Sequence, residues 1–306
     1  MRFFTAEDVH AALDFDRLAD AIAAVLAAAP VAPLRHAHAL NDMDTLLLMP
    51  AWSAQALGVK LVTVMPGNRA LGAATVNAIY VVFDRATGAA AAVIDGEALT
   101  LRRTAATSLL AARHLARPDA RNALIIGTGT LAPYMAHAHA RACRLERLWI
   151  WGRRGEGAQS LAQRLRDEGL PAQAVEDLEA AVRGADVISC ATTSTQPIVR
   201  GAWISPGTHL DLVGGFRRGM READDEAIAR ARIVVDSYAG ALAEAADIVE
   251  PLERGVIERS AIVAELAELV AGRPGRTGAS EITLFKSVGT AIADLAAAQL
   301  LLERAG

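Results

Sequence analysis

From Ala123 onward the chain alternates short apolar runs with longer mixed stretches. The runs are Ala123 to Ile126, Leu148 to Trp151, Ala172 to Val175, Val187 to Ala191, His209 to Val213 and Ile233 to Asp236. Each has the length of a buried strand and is bounded by turn-forming or helical sequence. Between them, Leu131 to Arg144 and Gly155 to Glu168 are long enough for helices, and Asp177 is placed to cap a short one ending near Gly184. Strand followed by crossover helix, repeated, is the pattern of βαβ units in a parallel sheet covered by helices.

The first 115 residues have a different rhythm. An alanine-rich helix is expected over about Phe15 to Ala29, then strands over Thr45 to Met49, Gly58 to Val64 and Ala78 to Asp84. Asp84-Arg85-Ala86-Thr87-Gly88 separates two apolar stretches as a hairpin turn does. Glu97 to Ala116 reads as one long helix that Pro118 stops. This half is expected to be α+β with antiparallel pairing. Near the end, Glu281 to Phe285 reads as a further strand. Gly289 to Glu303 reads as a final helix with Ile292, Leu295, Ala296 and Leu302 along one face.

Composition narrows the function classes. With 306 residues, 53% of them hydrophobic, the chain can bury a large core as two domains or one large α/β unit. Its 31 basic and 35 acidic residues are dispersed, for a net charge of −4, which leaves no block to hold a nucleic-acid backbone or an anionic membrane. Neither partner is expected. The apolar runs are interrupted by charges and no basic-then-apolar leader begins the chain, so a cytoplasmic location is expected. Cys143 and Cys190 have neither metal nor disulfide spacing and read as buried thiols.

Chemistry enters at Leu124-Ile125-Ile126-Gly127-Thr128-Gly129-Thr130-Leu131-Ala132, a buried strand that runs into a glycine turn and then a helix. Gly127 permits the tight turn, Gly129 lets backbone approach a pyrophosphate, and Ala132 lets the helix pack close to the strand with its N-terminus facing the anion. The motif is weak alone, but it heads a βαβ alternation, which points to a dinucleotide cofactor. The second strand ends in Arg153-Arg154, where an NAD enzyme usually carries a carboxylate for the ribose hydroxyls. Two guanidinium groups suit a 2′-phosphate, so NADPH is the expected cofactor, with NADH possible.

Several segments together resemble the ornithine cyclodeaminase and mu-crystallin family. They are Leu48-Met49-Pro50, Lys60-Leu61-Val62-Thr63, Asp95-Gly96, Leu101-Arg102-Arg103-Thr104-Ala105-Ala106, the glycine loop, Ala185-Asp186-Val187-Ile188, Pro206-Gly207-Thr208-His209 and Phe285-Lys286-Ser287-Val288-Gly289. The resemblance extends over nearly the whole chain. It implies an α/β protein with a central Rossmann domain, placed at 117–287, and a substrate and dimerisation domain built from 1–116 plus 288–306. It also implies a homodimer. By position in the family, Arg35, Lys60 and Arg103 surround the substrate carboxylate. Cations in a water-poor site suit that task, and arginine adds planar two-point geometry. Thr104 is similar to a family residue that touches the cofactor phosphates. Lys286 and Ser287 resemble the family's cofactor-side segment, and Thr192, Thr193 and Val213 follow strands at the edge where open α/β sheets bind ligands. No histidine is assigned a role.

Cyclodeaminases of this family carry a glutamate just before Met-Pro and an aspartate after the Val-Gly-Gly strand end; this chain has Leu47 and Phe216 there. Without those carboxylates the distal ammonium of ornithine and its proton traffic have no evident partner. The resemblance therefore implies the ketimine reductase branch, reducing Δ1-pyrroline-2-carboxylate or Δ1-piperideine-2-carboxylate to L-proline or L-pipecolate. The alternatives are ornithine cyclodeaminase, an open-chain amino-acid dehydrogenase, and an NADPH-dependent small-molecule binding protein of mu-crystallin type.

Overall fold

The computed structural model describes residues 1–215 and 217–305; Phe216, one of the two apolar replacements just noted, lies outside them. In chain order the first elements are β1 (Arg2–Phe4), α1 (Ala6–Ala12), α2 (Phe15–Ala27), β2 (His36–Ala39), β3 (Thr45–Trp52), β4 (Leu57–Val64), β5 (Val76–Phe83), β6 (Ala90–Asp95) and α3 (Gly96–Leu115). There follow β7 (Asn122–Ile126), α4 (Ala132–Ala142), β8 (Arg147–Trp151), α5 (Gly155–Asp167), β9 (Ala172–Ala174), α6 (Leu178–Gly184), β10 (Val187–Cys190) and β11 (His209–Leu212). The last are α7 (Asp225–Arg230), β12 (Arg232–Val235), α8 (Tyr238–Glu244), α9 (Ala246–Glu253), β13 (Ile262–Glu265), α10 (Leu266–Val270), β14 (Thr283–Lys286) and α11 (Ala291–Ala305). Two compact units result. One is Met1–Thr107 together with the stretch from Thr290 onward, and the other is Ser108–Gly289, so the first division falls inside α3.

The first unit is built on a six-stranded sheet in the order β1-β6-β5-β4-β3-β2. Strands β2 to β6 pair antiparallel, but β1 joins β6 in parallel. The turn between β5 and β6 is set by Asp84, whose carboxylate accepts from the amides of Ala86 and Thr87, and by Gly88 at φ 72°. Because side chains alternate across a strand, the paired residues Met49, Lys60, Tyr80 and Ile94 form one row on a single face, and all four are buried. Helix α11 lies over β3, β4 and β5 on that face. Its inward positions are Ala291, Asp294, Leu295, Ala298 and Leu301, at the i, i+3, i+4 spacing. The face expected from sequence included Ile292 and Leu302, which are only half-buried. Small alanines let the helix come close to the sheet, and this brings a carboxylate to the lysine row.

The second unit is an eight-stranded, wholly parallel sheet in the order β13-β12-β14-β11-β10-β7-β8-β9. Its strands are buried on both faces, as in a sheet covered by helices, and Leu124, Ile126, Ile188, Leu210, Leu212, Ile233, Val235 and Leu284 belong to one apolar core. From β7 the chain proceeds outward through β8 and β9, then returns to β10 on the other side of β7. The crevice between β7 and β10 is thus the switch point where such sheets bind ligands. One buried carboxylate ties this unit together. Asp211 accepts from Ser108 Oγ at 3.0 Å and Ser189 Oγ at 2.8 Å, and lies 3.0 Å from His139 Nε2. Burial opposes its charge, but those partners outweigh burial and hold the carboxyl below the usual range. Cys143 and Cys190 are buried and unpaired to each other. Among the described residues, no helix is long and apolar enough to cross a membrane.

Candidate active site

In the first unit the structure gathers Lys60 and Arg103 around a residue that sequence reasoning missed, Asp294. Lys60 Nζ lies 2.8 Å from Oδ2 and 3.0 Å from Oδ1 of Asp294, while Arg103 Nε lies 2.9 Å from Oδ1. Exposures of 2% for Lys60, 6% for Arg103 and 0% for Asp294 place all three in the interior. Lys60 Nζ also donates to Thr100 Oγ1 at 3.4 Å. Strand β4 supplies the lysine through its inward alternation and α11 supplies the carboxylate. Helix α3 supplies Thr100 and Arg103, and its start is fixed where Asp95 accepts from the Ala98 amide at 2.8 Å.

The electrostatics follow from this arrangement. Burial is the main influence on Lys60, and with the nearby charges of Arg103 and Arg35 it lowers the ammonium pKa to about 8, against the opposing pull of Asp294. For Asp294, burial works against ionisation, but Lys60 and Arg103 prevail and hold it below the usual carboxylate range. Tyr80, beside Lys60 in the row, is raised by burial and then by the charge of Asp294. Arg35, immediately before β2, is half-buried, and Thr104 is buried beside Arg103 on α3. Leu47 is half-buried on β3. The signal for Asp294 was a single charge inside Ala291-Ile292-Ala293-Asp294-Leu295-Ala296-Ala297-Ala298, a run otherwise read as a packing face.

In the second unit the glycine loop leaves β7 at the switch point. Gly127 has φ 121°, and a Cβ there would stand 2.6 Å from the Ala191 carbonyl oxygen, so only glycine fits. A Cβ on Gly129 would meet nothing within 4 Å. Thr128 fills the space left by two other glycines, for a Cβ on Gly152 would fall 2.6 Å from its Cγ2 and one on Gly157 3.0 Å from its Oγ1. Thr130 is exposed, and Ala132 is buried as the first residue of α4, which Leu131 precedes without a side-chain cap. Open space over Gly129 and an uncapped helix start fit a dinucleotide pyrophosphate. Arg153 and Arg154 are exposed between β8 and α5.

The strand-end residues are fastened from beneath. Glu222 is fully buried and accepts from Thr192 N at 2.8 Å, Thr192 Oγ1 at 2.9 Å and Gly214 N at 2.7 Å, which joins the loops after β10 and β11. Asp247 Oδ1 accepts from the amides of Glu222 and Ala223, and Lys286 Nζ lies 3.2 Å from Asp247 Oδ2. Burial, then the charge of Asp247, pushes the Glu222 carboxyl up to about 7, with Lys286 opposing. The side chain of Lys286, at 0% exposure, is therefore turned into the core. Ser287 is buried too; Asp236 Oδ2 accepts from its Oγ and from the amides of Val288 and Gly289. Val213 is buried and Thr193 exposed.

A model of the ornithine cyclodeaminase/mu-crystallin family matches residues 2–306. The chain is 40% identical over 271 residues to a Delta(1)-pyrroline-2-carboxylate reductase of Paracoccus denitrificans, covering 87% of this chain and 85% of that one. Among solved structures it is similar to the Delta(1)-pyrroline-2-carboxylate reductase of Thermococcus litoralis in complex with NADH and L-proline. The TM-score is 0.95 with 34% identity, over 100% of this chain and 97% of that chain. An archaeal alanine dehydrogenase dimer with bound NAD matches with TM-score 0.94 and 30% identity, over 100% and 96% of the two chains. The sequence expectation and the geometry meet in one conclusion: the chain belongs to the ornithine cyclodeaminase/mu-crystallin family.

Proposed function

We propose that this protein is an NAD(P)H-dependent reductase that converts Δ1-pyrroline-2-carboxylate or Δ1-piperideine-2-carboxylate to L-proline or L-pipecolate. The observation that carries the reading is the pair of buried cations, Lys60 and Arg103, held on one carboxylate. Interior cations on a shared anchor suit capture of a small carboxylic acid, because a buried charge is costly unless it is paired. The T. litoralis reductase, solved with NADH and L-proline, supports the same substrate class. The unit Ser108–Gly289 serves as the dinucleotide-binding domain, and the other unit as the substrate and dimerisation domain.

Gly127, Gly129 and the start of α4 would hold the pyrophosphate, with Thr128, Thr130 and Ala132 shaping the turn. Thr192, Thr193, Val213 and Ser287 would line the nicotinamide side, with Lys286 supporting them from the core, and Thr104 would meet the phosphates. When bound, the dihydronicotinamide supplies a hydride to the C=N carbon. Arg103 and Arg35 hold the adjacent carboxylate and fix the ring, while Lys60 acts as carboxylate ligand or acid. Leu47, apolar and half-buried, suits an uncharged ring better than the ammonium of ornithine.

The test is purified protein with each cyclic imino acid, ornithine and pyruvate plus ammonia, followed by NADPH or NADH oxidation. Reduction of at least one cyclic acid is expected; conversion of ornithine to proline with both cyclic acids untouched would reverse the assignment. Arg153 and Arg154 favour NADPH, so the double change Arg153→Ala and Arg154→Ala is expected to raise KM for NADPH about tenfold or more while leaving NADH within about twofold, as loss of charge-assisted phosphate bonds implies. Equal effects on both cofactors would remove the 2′-phosphate assignment.

The outer face of the first sheet supports a homodimer. Leu48, Leu61 and Ile79 pair across β3, β4 and β5 on the side opposite Lys60, with Ile79 44% exposed. A contiguous apolar sheet face is the kind of surface a second copy covers. Sedimentation equilibrium is expected to give twice the chain mass of 32.1 kDa; a monomer at micromolar concentration would refute this.

A further inference from the structure

Of the 31 lysine and arginine residues in this chain, two are lysines, Lys60 and Lys286. Both are buried, and each faces an aspartate: Asp294 for Lys60 and Asp247 for Lys286. Arginine serves nearly everywhere else a cation is wanted, including beside Lys60 at Arg103. What distinguishes lysine is a compact ammonium that can give up its proton, whereas a guanidinium stays charged in proteins. A lysine kept at the centre of the candidate site therefore points to proton transfer as well as charge.

We propose that Asp294 is a positioning residue that keeps Lys60 protonated and aimed, so that Lys60 donates the proton to the imine nitrogen while Arg103 holds the carboxylate. The proposal rests on the imino-acid reading above. Lys60, on β4, is faced by Asp294 from α11, by Thr100 and Arg103 from α3, by Tyr80 from β5 and by the charge of Arg35 before β2. Asp294 is the anion among these partners, and it spans both cations. Its Oδ1 takes Arg103 Nε, the inner donor of the guanidinium.

The step balances. The imine nitrogen takes a proton from Lys60 Nζ with its lone pair, and the hydride from the bound cofactor brings two electrons to the carbon. The C=N π pair then becomes the lone pair of a neutral secondary amine. Lys60 is left neutral and regains its proton from water. Burial already weakens the Lys60 ammonium to about 8, which suits a donor working near neutrality, and the anion of Asp294 stops it from falling further.

The test is Asp294→Asn, read in two ways. Protein labelled with 13Cε-lysine gives two Cε signals, assigned with Lys60→Arg, and their pH titration needs no cofactor. Removing an opposite charge at this distance lowers a lysine pKa by about 1 to 3 units. The Lys60 midpoint in Asp294→Asn is expected to fall by that amount, and the basic limb of the kcat/KM profile to move down with it. Asp294→Glu should restore most of both. Lys60→Arg, which keeps the charge but cannot donate, should lower kcat about a hundredfold with a smaller change in KM. An Asp294→Asn protein that folds, with the wild-type Lys60 titration, overturns the proposal, and so does Lys60→Arg with wild-type kcat, even if Asp294→Asn does not fold. If wild-type protein reduces neither imino acid, the substrate reading fails, while the lysine titration still decides what Asp294 does.

Discussion

Replacing Arg103 with alanine is expected to lower kcat/KM for the cyclic imino acid about a thousandfold, the range for truncating one member of a buried hydrogen-bonded charge pair. Two losses combine. The substrate carboxylate loses its planar two-point partner, and Asp294 loses the Nε–H bond at 2.9 Å that helps hold it toward Lys60. If the carboxylate contact is made equally in ground and transition states, the loss falls on KM; a fall in kcat as well means that Arg103 aligns the ring for hydride transfer. Arg103→Lys keeps the charge without the fork and should recover only part of the activity. A second consequence carries a sign. The charge of Arg103 helps to lower the Lys60 pKa, so its removal raises that pKa and extends activity to higher pH. This is opposite in direction to Asp294→Asn, and the pair of profiles separates a charge effect on Lys60 from general damage. An Arg103→Ala protein within about fivefold of wild-type kcat/KM would be incompatible with a carboxylate-binding role.

The sequence carried the second unit well because its strands are apolar runs bounded by turn residues and separated by helix-length segments. Burial on both faces writes that pattern plainly. Strand β13, Ile262–Glu265, went unseen because it lies directly before α10 and shares its short apolar stretch. At the edges of the first sheet, β1 and β2 were unseen for the opposite reason: their residues are mostly exposed and show no inside-outside alternation. In the site, Lys60 and Arg103 were reached through the family resemblance, whose motifs contain them. Asp294 lies in none of those motifs and sat among alanines that satisfy a packing pattern by themselves, and its partners lie far away in sequence. Sequence placed Lys286 in the cofactor-side segment; what it did not indicate is the fully buried Asp247 that draws its side chain into the core. Glu222 was equally hidden, since its role in joining two loops depends on β10 and β11 being neighbours.

The two glycines of the nucleotide loop are expected to fail in different ways. At Gly127 an alanine must adopt φ 121° and place its Cβ 2.6 Å from the Ala191 carbonyl oxygen, an approach that the β7 to β10 crevice cannot relax cheaply. Backbone strain of this kind costs about 1 to 3 kcal/mol before any clash is counted, so Gly127→Ala should lower the thermal midpoint by several degrees and weaken NAD(P)H binding with it. At Gly129 a methyl would meet no protein atom within 4 Å, and φ is unstrained, so the apoprotein should melt at or slightly above the wild-type temperature. The same methyl stands where the backbone would approach the pyrophosphate, and affinity for the nicotinamide cofactor is expected to fall about a hundredfold. Calorimetric titration with NADPH and with NADH alongside thermal melts separates the two. Loss of binding with intact stability at Gly129 is the signature of a phosphate cradle, because a glycine kept only for the turn would be replaceable there. A Gly129→Ala protein that keeps the affinity of wild type for the cofactor it binds would locate the cofactor elsewhere.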